Sequence, residues 1–85
     1  MAKNGRVSVE IFGQTYTLVG NQSEDSLIRL ADFVDEQMRR VQNQNPRLSL
    51  TQIAVLACVN IADQYFQLRD EYREVAAAVR NSDPS

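Results

Sequence analysis

The sequence predicts an α+β chain: an N-terminal two-stranded β-hairpin and a short helix form a head, and a long C-terminal dimerising helix of coiled-coil type follows. Three observations carry this. The stretch RVSVEIFGQTYTLVG alternates apolar and polar residues on either side of a glycine. Between Leu27 and Val41 apolar residues recur at three and four, as on one face of a helix. From Ala54 to Val79 a seam at alternating steps of four and three runs without a helix breaker. Eighty-five residues with 44% apolar content make one small domain, and so small a core is usually supplemented by disulfides, metals or a second subunit. Cys58 is the only cysteine and histidine is absent. An internal disulfide is therefore excluded, as is a zinc site of the usual ligand set, and oligomerisation remains.

The hairpin is expected over residues 6–19, with Gly13-Gln14 as its two-residue loop. Phe12 then faces Thr15, Ile11 faces Tyr16 and Val9 faces Leu18, so the apolar residues of both strands share one face. The other face, with Ser8, Glu10, Thr15 and Thr17, is polar except for Phe12 and Val19. A lone hairpin is marginal, so the apolar face needs an element against it. Helix one is expected over 23–43, with Ser23 as N-cap and Glu24 and Asp25 in the first turn, where the helix dipole favours acids. Leu27, Leu30, Ala31, Val34, Met38 and Val41 form its buried stripe, and Arg39 and Arg40 suit the negative pole near its end. The run NQNP stops it, because the residue before a proline is pushed out of the α region.

Helix two is expected over 49–80, starting near Ser49 or Thr51, about 45 Å long at 1.5 Å per residue. Its dimer seam reads Ala54, Cys58, Ile61, Tyr65, Leu68, Tyr72, Val75 and Val79. A second row, Val55, Val59, Ala62 and Phe66, stops at Arg69. The first half of the helix is thus expected to serve two contacts, its own head and a partner helix, and the second half only the partner. The polar ends 1–5 and 81–85 are expected to be flexible.

Composition argues against several functions. The opening MAKNGR lacks the apolar core of a secretory signal and no segment approaches the roughly 20 apolar residues of a membrane span, so a cytoplasmic location and no membrane partner are expected. A net charge of -2 gives no basic footprint for nucleic acid. A helix-turn-helix would present Leu56, Val59, Ile61 and Ala62 where Arg, Asn or Gln are needed to read bases. The carboxylates of Asp32, Asp35 and Glu36 and of Asp70, Glu71 and Glu74 read as solvated helix faces. Gly5, Gly13 and Gly20 are isolated turn glycines, not a phosphate loop. Neither catalysis nor a cofactor is expected. Cys58, inside an apolar run, reads as a packing residue.

Two features point to a protein partner. Arg29, Arg39, Arg40 and Arg47 are the only local positive density, read either as ordinary surface charge or as a docking surface for an acidic protein. Asn60 falls at helical spacing with Asp63, Gln64 and Gln67, on an exposed edge beside the seam. It is either a solubility residue or a polar contact within an otherwise apolar partner-facing surface.

VEIFGQTYTLVG, QMRRVQNQNP and above all IAVLACVNIADQY together resemble the ZapA family of bacterial cell-division proteins, its short type, over about Val7 to Tyr72. The resemblance implies a single ZapA-like domain over 6–80 and a cytosolic homodimer without cofactor or catalysis. It implies binding to the tubulin-like division GTPase FtsZ and cross-linking of its filaments at midcell to promote Z-ring assembly. Longer members extend the second helix so that two dimers meet as a tetramer, whereas this seam stops at Val79. Longer members often carry a basic residue after the hairpin glycine. Gln14 stands there, so partner binding falls to Arg39, Arg40 and Asn60. The competing reading is a homodimeric adaptor or regulator that binds another protein target.

Overall fold

Four elements follow one another in the computed structural model, which describes residues 5–81: β1 Gly5–Ile11, β2 Gln14–Gly20, α1 Glu24–Gln44 and α2 Leu50–Asn81. Of the end segments expected to be flexible, residues 1–4 and 82–85 lie outside the described residues, while Gly5 opens β1 and Asn81 closes α2.

The strands pair antiparallel, but one step off the expected loop. Ile11 faces Gln14, Val9 faces Tyr16 and Val7 faces Leu18, so the turn is Phe12-Gly13 rather than Gly13-Gln14. Both turn residues have positive φ, 51° and 82°, as a type I′ turn requires, and glycine is favoured at its second position. Each partner moves by two residues, which preserves the side-chain parity, and the apolar residues still share one face. Phe12 leaves that alternation altogether and packs, half-buried, against the core. Gly5 and Gly20 are paired strand ends, not turn residues. Gly5 is buried under the chain entering α1, where a Cβ would collide with the Gln22 carbonyl oxygen.

Ser23 caps α1 as expected, its Oγ accepting the Ser26 N–H at 3.2 Å. Ser49 and Gln52 form a reciprocal capping box at the start of α2: the Gln52 N–H donates to Ser49 Oγ at 3.1 Å and the Ser49 N–H to Gln52 Oε1 at 3.0 Å. The α1 helix runs to Gln44, so Arg39 and Arg40 stand more than a turn before its end and no basic residue occupies the last turn. Their partners are acids one turn back in the same helix, not the terminal carbonyls.

The core lies where α1 meets both neighbours. Val9, Leu27 and Ala31 are buried at the hairpin side; Met38 and Val41 cluster with Ile53 and Ala57 of α2. Leu30, expected in the buried stripe, is 49% exposed. The Cα trace extends 56 × 42 × 14 Å. The hairpin and α2 both pack against α1, which leaves much of the long α2 helix exposed.

Candidate partner-binding surfaces

On α2 the residues that face α1 are Ile53 and Ala57, both 2% exposed, followed one and two turns beyond Ala57 by half-buried Ile61 and by Gln64. Ala57 is small enough to let the helices approach. The Gln64 Nε2 donates to the Oε1 of Gln37, a buried polar side chain, at 3.1 Å. The row expected to face the head, Val55, Val59, Ala62 and Phe66, lies on the opposite side of the helix and is exposed. That expectation is corrected by helical phase: Ile53 and Ala57 begin a row that turns polar at Gln64, and a scan for uninterrupted apolar rows passes over it. The spacing 53, 57, 61 and 64 was nonetheless visible.

The seam residues divide along the helix. Ala54 and Ile61 are half-buried within the chain, Cys58 is exposed, and Tyr65, Leu68, Tyr72, Val75 and Val79 are all more than half exposed, Tyr72 reaching 75%. Burying even one such side chain contributes roughly 1.5–3 kcal/mol, so a stripe of five left in water is a strong drive for association. The second row ends where the Arg69 guanidinium stacks 4.6 Å from the Phe66 ring centroid, beside an edge-on contact between Tyr65 and Phe66.

A second surface forms at the hairpin tip. The Phe12 N–H donates to Asp35 Oδ1 at 2.6 Å and the Arg39 Nε donates to Asp35 Oδ2 at 2.8 Å. The Arg39 guanidinium lies 5.7 Å from the Phe12 ring centroid. A left-handed non-glycine residue costs about 1–2 kcal/mol, and a hydrogen bond to a charged acceptor contributes roughly 1.5–3 kcal/mol. The Asp35 carboxylate thus offsets the strain of Phe12. The Arg39 hydrogen bond first, and the Phe12 amide second, hold the Asp35 carboxyl below its ordinary value.

Arg40 donates from Nη2 to Glu36 Oε1 at 3.0 Å. Both candidate docking arginines therefore sit in acid–base pairs one helical turn apart. Exposed i, i+4 pairs of this kind contribute only about 0.3–0.5 kcal/mol. The pairs could be read from the i, i+4 spacing of Asp35, Glu36, Arg39 and Arg40. The grip on Phe12 could not, because it joins residues 23 apart in sequence.

Asn60 is exposed, on the edge of α2 next to the Ala57–Gln64 row. Its neighbours are engaged, Gln64 with Gln37 and Asp63 with Gln67. Beside the tip, Ile11, Phe12, Tyr16, Leu18, Met38 and Ala54 line a mainly apolar groove of about 370 Å³, so the tip and the first seam residue border one surface. Among the described residues, no group of three or more His, Cys, Asp or Glu side chains could hold a metal ion. Likewise no helix there is long and apolar enough to cross a membrane.

The family model described as Cell division protein ZapA matches residues 7–82. A Cell division protein ZapA of Geobacillus thermodenitrificans is 45% identical over 75 residues, covering 88% of this chain and 82% of the relative. One from Bacillus pumilus is 31% identical over 78 residues, 92% of both chains. Among solved structures, a ZapA mutant dimer from Geobacillus stearothermophilus superposes with a TM-score of 0.72 at 37% identity, covering 92% of this chain and 91% of that one.

Proposed function

The chain belongs to the ZapA family of cell-division proteins, and from that membership we propose that it is a non-enzymatic homodimer that binds FtsZ and cross-links its filaments at the midcell division site. The observation that carries the dimer is the exposed stripe from Tyr65 to Val79. A second copy laid along that stripe covers apolar surface that the chain cannot cover itself. The solved relative is itself a dimer, which supports the same reading.

Two heads per dimer make the molecule bivalent. Once one head is bound, the other meets a neighbouring filament at raised effective concentration, so weak single contacts suffice to hold filaments together. The hairpin tip with Arg39, the adjacent Arg40 and the Asn60 edge of α2 are the docking residues in this reading. All three are exposed, and none belongs to the seam.

Co-sedimentation with polymerised FtsZ, run alongside analytical ultracentrifugation, tests both halves. A dimer mass and enrichment of the protein in pelleted, bundled FtsZ are expected. A dimer that stays in the supernatant would point to an adaptor for another target, and a monomer would remove the bivalent mechanism. Asn60→Tyr is expected to keep helicity and dimer mass while abolishing bundling. Unchanged bundling in that variant, with loss on charge reversal at Arg39 and Arg40, would place the contact on α1 alone.

A further inference from the structure

Asp35 is the one carboxylate in the described chain that engages both the hairpin tip and a docking arginine. Its two oxygens are divided between them: Oδ1 takes the Phe12 N–H at 2.6 Å and Oδ2 takes Arg39 Nε at 2.8 Å. The Arg39 side chain is more than half exposed and lies against the Phe12 ring, so one face of the guanidinium is backed by the turn. With Nε engaged by Asp35, the edge of the guanidinium that carries Nη1 and Nη2 is left for an outside group. That edge offers two parallel N–H donors, which match the two oxygens of a carboxylate. Arg40 differs, since it has already committed Nη2 to Glu36.

We propose that Asp35 is a positioning residue of the docking surface: it locks the hairpin tip and the Arg39 guanidinium into one unit whose free edge receives a carboxylate of the protein partner. This rests on the FtsZ-binding reading and deepens it, because it makes guanidinium geometry, rather than positive charge alone, the basis of recognition. It also explains why Phe12 occupies a left-handed position that a small polar residue would fill with less strain. The ring is the surface against which Arg39 is held.

The test compares full-length wild type with Asp35→Asn, Arg39→Gln, Arg39→Lys and the Asp35→Asn/Arg39→Gln double variant in FtsZ co-sedimentation. Asparagine keeps an oxygen for the Phe12 amide but loses the charge that holds Arg39. Asp35→Asn and Arg39→Gln are each expected to weaken binding roughly tenfold, with the double variant no weaker than Arg39→Gln. Arg39→Lys is expected to be as weak as Arg39→Gln despite its retained charge. Independent losses that multiply to about a hundredfold in the double variant, or wild-type binding by Arg39→Lys, overturn the proposal. Should Asp35→Asn fail to fold by circular dichroism, Arg39→Lys still decides, because it leaves the Asp35–Phe12 hydrogen bond in place.

A second readout needs no partner. The Arg39 Nε–H resonance of ¹⁵N-labelled protein is expected to be protected from solvent exchange in wild type and exchange-broadened in Asp35→Asn. The same behaviour in both overturns the positioning step. Failure of the wild type to bind FtsZ overturns the proposed function and with it the docking role, while the resonance still reports whether Asp35 holds Arg39.

Discussion

At the scale of single residues, the hairpin tip depends on one carboxylate. Phe12 adopts a positive φ that its side chain disfavours, and the Asp35 hydrogen bond makes that conformation tolerable. The consequence for pH has a definite sign. The carboxyl is held below its ordinary value of 3.8 in the folded chain, so the native state takes up the proton less readily than the unfolded state does. The stabilisation is complete above that ordinary value and is lost as pH falls through the lower native one. Asp35→Asn is therefore expected to be less stable than wild type at pH 7 and to show a flatter decline in stability below about pH 4. Denaturant titrations at several pH values check this, and parallel curves for the two proteins would show that the Asp35 contacts contribute nothing net.

Among the elements, the helix pair is joined by a small apolar cluster and one polar link. Removing half of that link with Gln64→Ala leaves the buried Gln37 oxygen without its donor, a loss of about 1–3 kcal/mol. Changing both to leucine is expected to recover most of it, and thermal melts of the two variants make the comparison. The seam needs a different probe. Ile61 is half-buried beside the α1-facing row, so Ile61→Glu would damage the head as well as the dimer. Leu68 is 66% exposed within the chain. Leu68→Glu is expected to keep the helical content of the monomer but abolish the dimer, since it places a carboxylate from each copy in an apolar seam where each leucine contributed roughly 1.5–3 kcal/mol. Sedimentation of a stable Leu68→Glu dimer would move the interface elsewhere on α2.

For the whole molecule, the size of the core decides. The buried residues are few and mostly of moderate size, as expected of so short a chain. Stability should then be inseparable from association. Tenfold dilution of the protein is expected to lower the melting temperature by roughly 3–6 °C, as the mass-action term for a dimer requires. A melting temperature independent of concentration over two decades would show that the monomer is stable alone. The exposed part of the seam runs along α2, while the charged tip stands at the junction of hairpin and α1.

Periodicity and local capping chemistry made most of the fold legible in the sequence. Strand alternation chose the apolar face of the hairpin, the three-and-four spacing from Leu27 to Val41 marked α1, and the SEDS and SLTQ stretches carried both caps within four residues. The heptad spacing sets Tyr65, Leu68, Tyr72, Val75 and Val79, all exposed in the folded chain, on one stripe. Such features depend on neighbours along the chain, and so they survive without coordinates. Three others did not. The Phe12-Gly13 turn is supported by Asp35, the α1-facing side of α2 is set by a row that changes from Ile53 and Ala57 to Gln64, and Leu30 stays in solvent although it shares the spacing of the buried stripe. Each depends on which residues meet across separations of a dozen or more positions, and a repeat of two or of three to four carries no information about that. Only the packing of the hairpin and α2 against α1 decided them.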